Sequence, residues 1–339
     1  MDFSVIVPVY NRPDEVDELL NSLERQTCKD FEVIIVEDGS TLPCDSVVAK
    51  YTSSLNIRYF FKENSGPGPS RNFGADKSRG SYLIFFDSDC VIPEKYFEEV
   101  GKELDRLPDT GVFGGADNAS DSFTKIQKAI NYSMTSFLTT GGIRGGSKRL
   151  DKFYPRTFNL GVKKDVFDDV RGFSAMRYGE DIDFSIRVIK AGYSCRFFPL
   201  AWVYHKRRTD LRKFFRQVHH SGVARIDLYI LYPESLKLVH VLPSVFVAGN
   251  ILLLVPSFFL PCLLLLIAFF TLLIFVDSLI RNRSLAISGL SVAACYIQLY
   301  GYGTGFIKSF INKIVLPFLP TFHISRLFCR RCDNGKRKN

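Results

Sequence analysis

Asp87 and Asp89 stand one residue apart where the apolar run YLIFF, Tyr82 to Phe86, gives way to DSDC. In extended backbone, residues i and i+2 point the same way, so both carboxylates can face one ligand. Burying a bare carboxylate is expensive, so the pair must be solvated, matched by cations or bound to a metal. An oxygen-only set that shares its ion with substrate phosphate suits Mg²⁺ or Mn²⁺. The plainer reading is a solvated turn, or a cap for a helix opening near Pro93.

Four further stretches carry residue types that can do chemistry. Asp38, in VEDGS, follows an apolar run and can hydrogen-bond a nucleobase or ribose, although Asp-Gly after a strand is also ordinary turn chemistry. SGPGPSRN opens a helix whose free N–H groups can receive phosphate, with Arg71 as a forked cation; a simple glycine turn accounts for it equally well. It lacks the Gly-Lys-Ser/Thr ending of a P-loop. Asp181, in GED at a helix start, can be a general base held ionised by the helix dipole, or merely a cap. His205, in WVYHKRR, can be a metal ligand, a phosphate contact or a surface histidine in a basic stretch.

The elements that must position these residues read as an α/β domain. FSVIVPVY, FEVIIVED, LNIRYFF and YLIFF are near-continuous apolar runs separated by helical periodicity, such as Val16, Leu19, Leu20 and Leu23. Such strands belong to a mostly parallel sheet covered on both faces, which predicts a Rossmann-like fold. Ligands then bind outside the carboxyl ends of the strands, which places Asp38 and the Asp87/Asp89 pair on one rim. Ser120 to Arg149 reads as a long irregular, glycine-rich connection. In GEDIDFSIRVIKAGY, Ile182, Ile186 and Ile189 mark one face of a helix that Gly192 ends.

The character changes after residue 235. Leu242 to Val276 holds no charged residue and exceeds the ~20 residues of a single span, so Asn250, Pro256 and Pro261 suggest a hairpin of two membrane segments. Leu285 to Ile307, with Gln298, four glycines and three tyrosines, is weaker and is expected to be re-entrant or interfacial. Between 209 and 232, Leu211, Phe214, Phe215 and Val218 form an apolar stripe flanked by Arg212, Lys213 and Arg216, as in an interfacial helix or one packed on the catalytic domain. The organisation predicted is a catalytic domain over 1–235, a membrane region over 236–310 and a basic tail over 311–339.

Of the 339 residues, the excess of Lys and Arg gives a net charge of +9, concentrated between His205 and Arg225 and again from Arg326 to Lys338. Both clusters flank the apolar part, which points to anionic lipid rather than nucleic acid. Eight scattered cysteines, the single CxxC at Cys329 and Cys332 included, fit reduced thiols. Met1 leads directly into a strand-like run, so a cytosolic catalytic domain is expected, and the positive-inside rule puts the tail on the same side, in the cytoplasmic membrane, after an even number of crossings.

Taken in order, VIVPVYNR, VEDGS, SGPGPSRNFG, FFDSD, GEDIDFSIR and YHKRR resemble the family-2 glycosyltransferases of GT-A fold, over roughly residues 2 to 235. The resemblance implies inverting transfer from a nucleotide-sugar, UDP-linked by expectation, with Mg²⁺ or Mn²⁺, to a lipid-linked or cell-envelope glycan acceptor. It carries donor binding to Pro8, Tyr10, Asp38, Arg71, Asp87 and Ser88, and metal binding to Asp89, Asp87 and His205. Asp181 would deprotonate the acceptor with Glu180 beside it, and Asn159 and Asp117 would lie near the acceptor. The QxxRW motif of processive synthases is missing, since RQVHHSGVAR stands there, so transfer of a single sugar is expected. Two other functions compete: a sugar-nucleotide pyrophosphorylase, which would want a glycine-rich, arginine-bearing loop where PVYNRPDE stands, and an inactive membrane scaffold of the same fold.

Overall fold

The computed structural model describes residues 3–118, 123–140 and 153–318. The first half runs β1 (Phe3–Val9), α1 (Pro13–Glu24), β2 (Phe31–Asp38), α2 (Asp45–Ala49), β3 (Ile57–Lys62), α3 (Pro67–Lys77), β4 (Tyr82–Phe85), β5 (Cys90–Val91) and α4 (Tyr96–Arg106). There follow β6 (Val112–Gly114), β7 (Asp117–Asn118), α5 (Lys125–Thr135), α6 (Phe137–Thr140), β8 (Leu160–Lys163), α7 (Lys164–Asp169), α8 (Glu180–Lys190), β9 (Cys195–Phe197) and β10 (Val203–His205). Long helices close the chain: α9 (Leu211–Leu231), α10 (Leu238–Ser257), α11 (Leu264–Asn282) and α12 (Leu285–Phe310).

A seven-stranded sheet has the order β3-β2-β1-β4-β8-β6-β9. β1 is parallel to β2 and β4, and β2 to β3, while β8 runs antiparallel to β4 and β6. The expected α/β fold with a mostly parallel sheet is therefore present. Its central strands are mostly apolar because both faces are covered, with Ser4, Glu32, Glu37 and Asp38 as polar exceptions. Val5, Val7, Val33 and Ile35 enter one core with Leu19, Leu20 and Leu23 of α1 and Phe97 and Val100 of α4. Ile6, Ile34, Val36, Leu83 and Phe85 enter the other with Ala75, Phe167, Phe184 and Val188. A small second sheet, β5-β10-β7, follows the exit of β4.

Two expectations change. The core face of α8 is Phe184 and Val188, whereas Ile182 and Ile189 are only half-buried. Both stripes have helical spacing, and Phe184 stacks into the aromatic group of Phe167 and Phe173, where it removes more apolar area from water. The stretch read as irregular contains α5, which starts in a capping box: the Gln127 amide donates to Thr124 Oγ1 and the Thr124 amide to Gln127 Oε1. Residues 119–122 and 141–152 of that stretch, and the tail from 319 with Cys329 and Cys332, lie outside the described residues.

The chain divides into two compact units, Met1–Leu211 with Ile274–Ala294, and Arg212–Leu273 with Cys295–Asn339. The first takes in a later segment, where the Tyr132 hydroxyl donates to Asp277 Oδ2 at 2.6 Å. In the second, the stripe of α9 is packed against helix: Val218 and Phe215 meet Gly301, and Gly222 meets the Tyr302 carbonyl. Gly303 likewise meets Pro243 of α10, and Gly305 meets His219. Gly301, Gly303 and Gly305 of α12 serve close helix approach and do not break it, and Leu285–Phe310 is one continuous helix. Two stretches, Pro261–Asn282 and Leu285–Val315, are long and apolar enough to cross a membrane.

Gly115 marks the tightest approach near the site. A Cβ there would stand 1.7 Å from the Ala201 carbonyl oxygen, which also accepts from Asn159 Nδ2 at 2.7 Å. Gly115→Ala is expected to cost about 1–3 kcal/mol by overpacking. The readout is the thermal midpoint in detergent. Gly101→Ala, in open space on α4, should hold or raise that midpoint; equal midpoints would show that the loop simply gives way.

Candidate active site

β1 lies between β2 and β4 and is parallel to both, so the chain winds outward from it in both directions and a crevice opens at the carboxyl ends. Asp38 is the last residue of β2, and Phe86 leads from β4 into Asp87, Ser88 and Asp89. These three acids therefore share one rim. Pro8 is half-buried in β1, and Tyr10 is exposed just beyond its end.

Asp38 is an organiser of that rim. Its Oδ1 accepts from the Ser65 amide at 2.9 Å and pairs with Lys62 Nζ; its Oδ2 accepts from the Gly66 amide at 2.8 Å. Burial alone would raise its carboxyl, but hydrogen bonds from Lys62, Ser65, Ser70 and Gly66 outweigh it and hold the group below its ordinary value. The helix those amides lead into, α3, is a poor phosphate receptor. Pro67 and Pro69 carry no N–H, and the Ser70 amide bonds to Gly66 O, which leaves Gly68 alone in the first turn.

Arg71 is not a free fork for phosphate either. It is 3% exposed, donates from Nη2 to Asp87 Oδ1 at 2.7 Å and from Nη1 to Glu180 Oε1 at 3.1 Å. It thus ties the β4 exit to the start of α8. Asp87 is about a third exposed, at 32%, and Oδ1 is the oxygen that Arg71 engages.

Asp89 is the acid left open. His205 Nε2 comes within 3.1 Å of its Oδ1 and Arg208 Nη1 within 3.7 Å of its Oδ2, yet Oδ1 is buried with no aligned donor, and so is His205 Nδ1. Burial opposes ionisation, while His205, Arg208 and Arg12 more than offset it and keep the carboxyl low. Asp89, His205 and Cys90 place ligand atoms within 4.8 Å of one another, and Asp87 is outside this group. Burial and the neighbouring acids push the Cys90 thiol far up, which leaves it a weak donor, so the usable set is a carboxylate oxygen and an imidazole nitrogen. An orphaned carboxylate oxygen beside imidazole fits Mn²⁺ or Mg²⁺ completed by phosphate oxygens.

Asp181 occupies the first turn of α8. Its Oδ1 accepts from the Ile182 amide at 2.8 Å, and Arg156 Nε lies 2.8 Å from Oδ2. It both caps the helix and presents an ion-paired oxygen. Asn159, expected near the acceptor, is turned inward: at 1% exposure it accepts from the Tyr96 hydroxyl at 2.6 Å and donates to Ala201, so its amide is engaged on both sides. Asp117 pairs with Arg207 at 2.5 Å, and the Ser88 hydroxyl reaches Glu15 at 3.4 Å. Four residues of the site went unread in the sequence. Lys62 ends β3 on the same rim, Arg12 and Arg208 sit in the quoted VYNR and YHKRR stretches, and Arg156 has no local signal at all.

A mostly parallel sheet with acids at the exits of β2 and β4, the two strands that flank β1, fits a GT-A-like α/β domain. The sequence agrees: residues 4–179 match the family model for glycosyl transferase family 2, and the chain belongs to that family. It is 33% identical over 196 residues to an uncharacterized glycosyltransferase of Haemophilus influenzae, covering 55% of this chain and 62% of that one. It is 38% identical over 109 residues to the poly(ribitol-phosphate) beta-N-acetylglucosaminyltransferase TarS of Staphylococcus aureus, 31% of this chain and 19% of that one. The chain thus spans less than two thirds of the length of either relative. Among solved structures, the mannosyltransferase PcManGT of Pyrobaculum calidifontis, in complex with GDP-Man and Mn²⁺, shares the fold at a TM-score of 0.61 and 17% identity, over 88% of this chain and 87% of that one.

Removing the buried cation should expose its role. Burial and then the Asp181 charge push the Glu180 carboxyl up, and Arg71 opposes them. In Arg71→Met that opposition is gone and the carboxyl rises further. A carboxyl higher in the folded than in the unfolded state costs stability as pH climbs from its ordinary value of 4.5 through the raised one. The deficit against the parent should grow from pH 5 to pH 8 and reach about 3–5 kcal/mol, the usual cost of stranding a buried charge. Denaturant midpoints at the two pH values check it; a pH-independent deficit would mean no charge is stranded.

Proposed function

We propose that this protein is an inverting glycosyltransferase that moves one sugar from a nucleotide-sugar to a glycan acceptor at a membrane surface. The observation that carries the proposal is the Asp89 oxygen beside His205, on the rim at the carboxyl ends of the strands, where open α/β sheets bind ligands. Asp38 and Lys62 frame the nucleoside end, and Asp87, steadied by Arg71, offers its other oxygen to a ribose hydroxyl. Asp89 and His205 would hold Mg²⁺ or Mn²⁺. When bound, the cation neutralises charge on the departing nucleoside diphosphate. Arg12 and Arg208 add fixed positive charge beside the same phosphates.

Asp181 supplies the base. The acceptor hydroxyl oxygen bonds to the anomeric carbon as the bond to the leaving phosphate breaks on the opposite face, and the hydroxyl proton passes to Asp181 Oδ2. Arg156 must first release that oxygen, which acceptor binding would bring about by offering it a hydrogen-bond donor. The apolar helices, whose outer side chains such as Leu265, Phe269 and Ile280 are exposed, support membrane anchoring, and a lipid-linked or envelope glycan reached from the cytosolic face is the acceptor this reading assigns.

The test is to incubate the full chain in membranes with a panel of UDP- and GDP-sugars and Mn²⁺ and to follow free nucleoside diphosphate. Release that stops in excess chelator supports the proposal. Silence across the panel would favour a scaffold, and release of pyrophosphate from a nucleoside triphosphate and a sugar phosphate would favour a pyrophosphorylase. Asp181→Asn should bind donor as the parent does and lose transfer by about 10²–10⁴-fold, because an amide cannot take the proton. A loss confined to donor affinity would make Asp181 a binding or capping residue.

A further inference from the structure

We infer that a cleft on the reverse face of β10 is a saccharide subsite, which holds a sugar unit of the acceptor glycan away from the transfer point. The inference rests on the proposed transfer to a glycan. Along β10 and the residue before it the side chains alternate: His205 faces Asp89, while Trp202 and Tyr204 look to the other side. There they line a cleft of about 540 Å³ with Leu200 and, from the start of α4, Lys95, Glu94 and Glu99. That volume lies within the ~300–1,000 Å³ of small-molecule sites.

The lining matches a pyranose and little else that this protein handles. One face of the sugar ring is a patch of C–H bonds, and its rim carries hydroxyls. Trp202 and Tyr204 pack edge to face, with centroids 4.8 Å apart at 89°, and present a right-angled aromatic corner for the apolar face. Hydroxyls want acceptors and donors together, and the carboxylates of Glu94 and Glu99 with the Lys95 ammonium provide both. Leu200, 55% exposed, extends the apolar floor. Glu99 is paired with Lys102 at 2.9 Å, so the lining carries no excess of positive charge to draw a nucleoside diphosphate and leaves a neutral polyol unpenalised. The aromatic corner is thus set apart, by strand face, from the rim that would take the phosphates.

Trp202 is the only tryptophan in the chain, so its emission reports this cleft alone. The experiment applies the full chain in detergent to a printed array of neutral hexose and N-acetylhexosamine oligosaccharides, and assays donor hydrolysis on the same preparation. Binding is expected; it should fall about tenfold or more in Trp202→Ala, less in Glu94→Gln, and persist in Trp202→Phe and Asp181→Asn. Donor hydrolysis should be unchanged in Trp202→Ala. Should Trp202→Ala fail to fold, the parent decides: a shift of Trp202 emission on adding an array-positive oligosaccharide supports the subsite, and a constant emission overturns it. A silent array, or equal binding by parent and Trp202→Ala, also overturns it. Hydrolysis with a silent array removes the subsite alone, whereas loss of both removes the glycosyl-transfer reading beneath it as well.

Discussion

A guanidinium sealed from water must be matched by acids, and Arg71 imposes that condition on the rest of the site. Its terminal nitrogens take Asp87 from the β4 exit and Glu180 from the head of α8. Unpaired, a buried charge costs several kcal/mol, so the two elements cannot separate without stranding charge. The ion pair fixes the distance between the rim of the sheet and the helix that carries Asp181. The acids are divided: Asp87 is partly consumed by the protein itself, and Asp89 keeps an oxygen whose neighbour, His205 Nε2 at 3.1 Å, is not aligned as a donor. Preorganisation of this kind is what an electrostatic site requires, since groups already held in place need not reorganise as charge develops.

The same economy of close contact governs the second unit. Glycines at 222, 301, 303 and 305 let helix backbones approach where any side chain would collide with a carbonyl or a neighbouring residue. Helices joined in this manner need no water-driven core, and the faces turned outward can stay apolar. That leaves α11 with Leu265, Phe269, Leu272 and Ile280 exposed, a surface suited to lipid.

Much of the α/β fold was legible in the sequence because the central strands are mostly apolar runs and two of them, β2 and β4, lead straight into acids, a pattern that fits a doubly covered parallel sheet. Asp38, Asp87 and Asp89 could be placed on one rim from that alone. What was not legible depends on contacts between distant residues. The partner of Arg71 on α8 lies 109 residues away, so the sequence offered phosphate as its natural mate. Asn159 reads as a polar residue free for an acceptor until Tyr96 and Ala201 close on it from two sides. The glycines of α12 suggest a break when read along the chain and a helix contact when read across it. The α5 capping box was readable locally and was obscured by the glycine-rich residues that follow. For α8, two helical stripes coexist, and periodicity alone does not say which carries the larger buried area.

Anomalous diffraction at the manganese edge, from crystals of the full chain grown with Mn²⁺ and a nucleoside diphosphate, tests the division of acids most directly. The account predicts one anomalous peak within coordinating distance of Asp89 Oδ1 and His205, bridged to the phosphates, with Asp87 still paired to Arg71. A peak on Asp87 with Arg71 swung onto the phosphates, or phosphates bound with no manganese at Asp89, would contradict it.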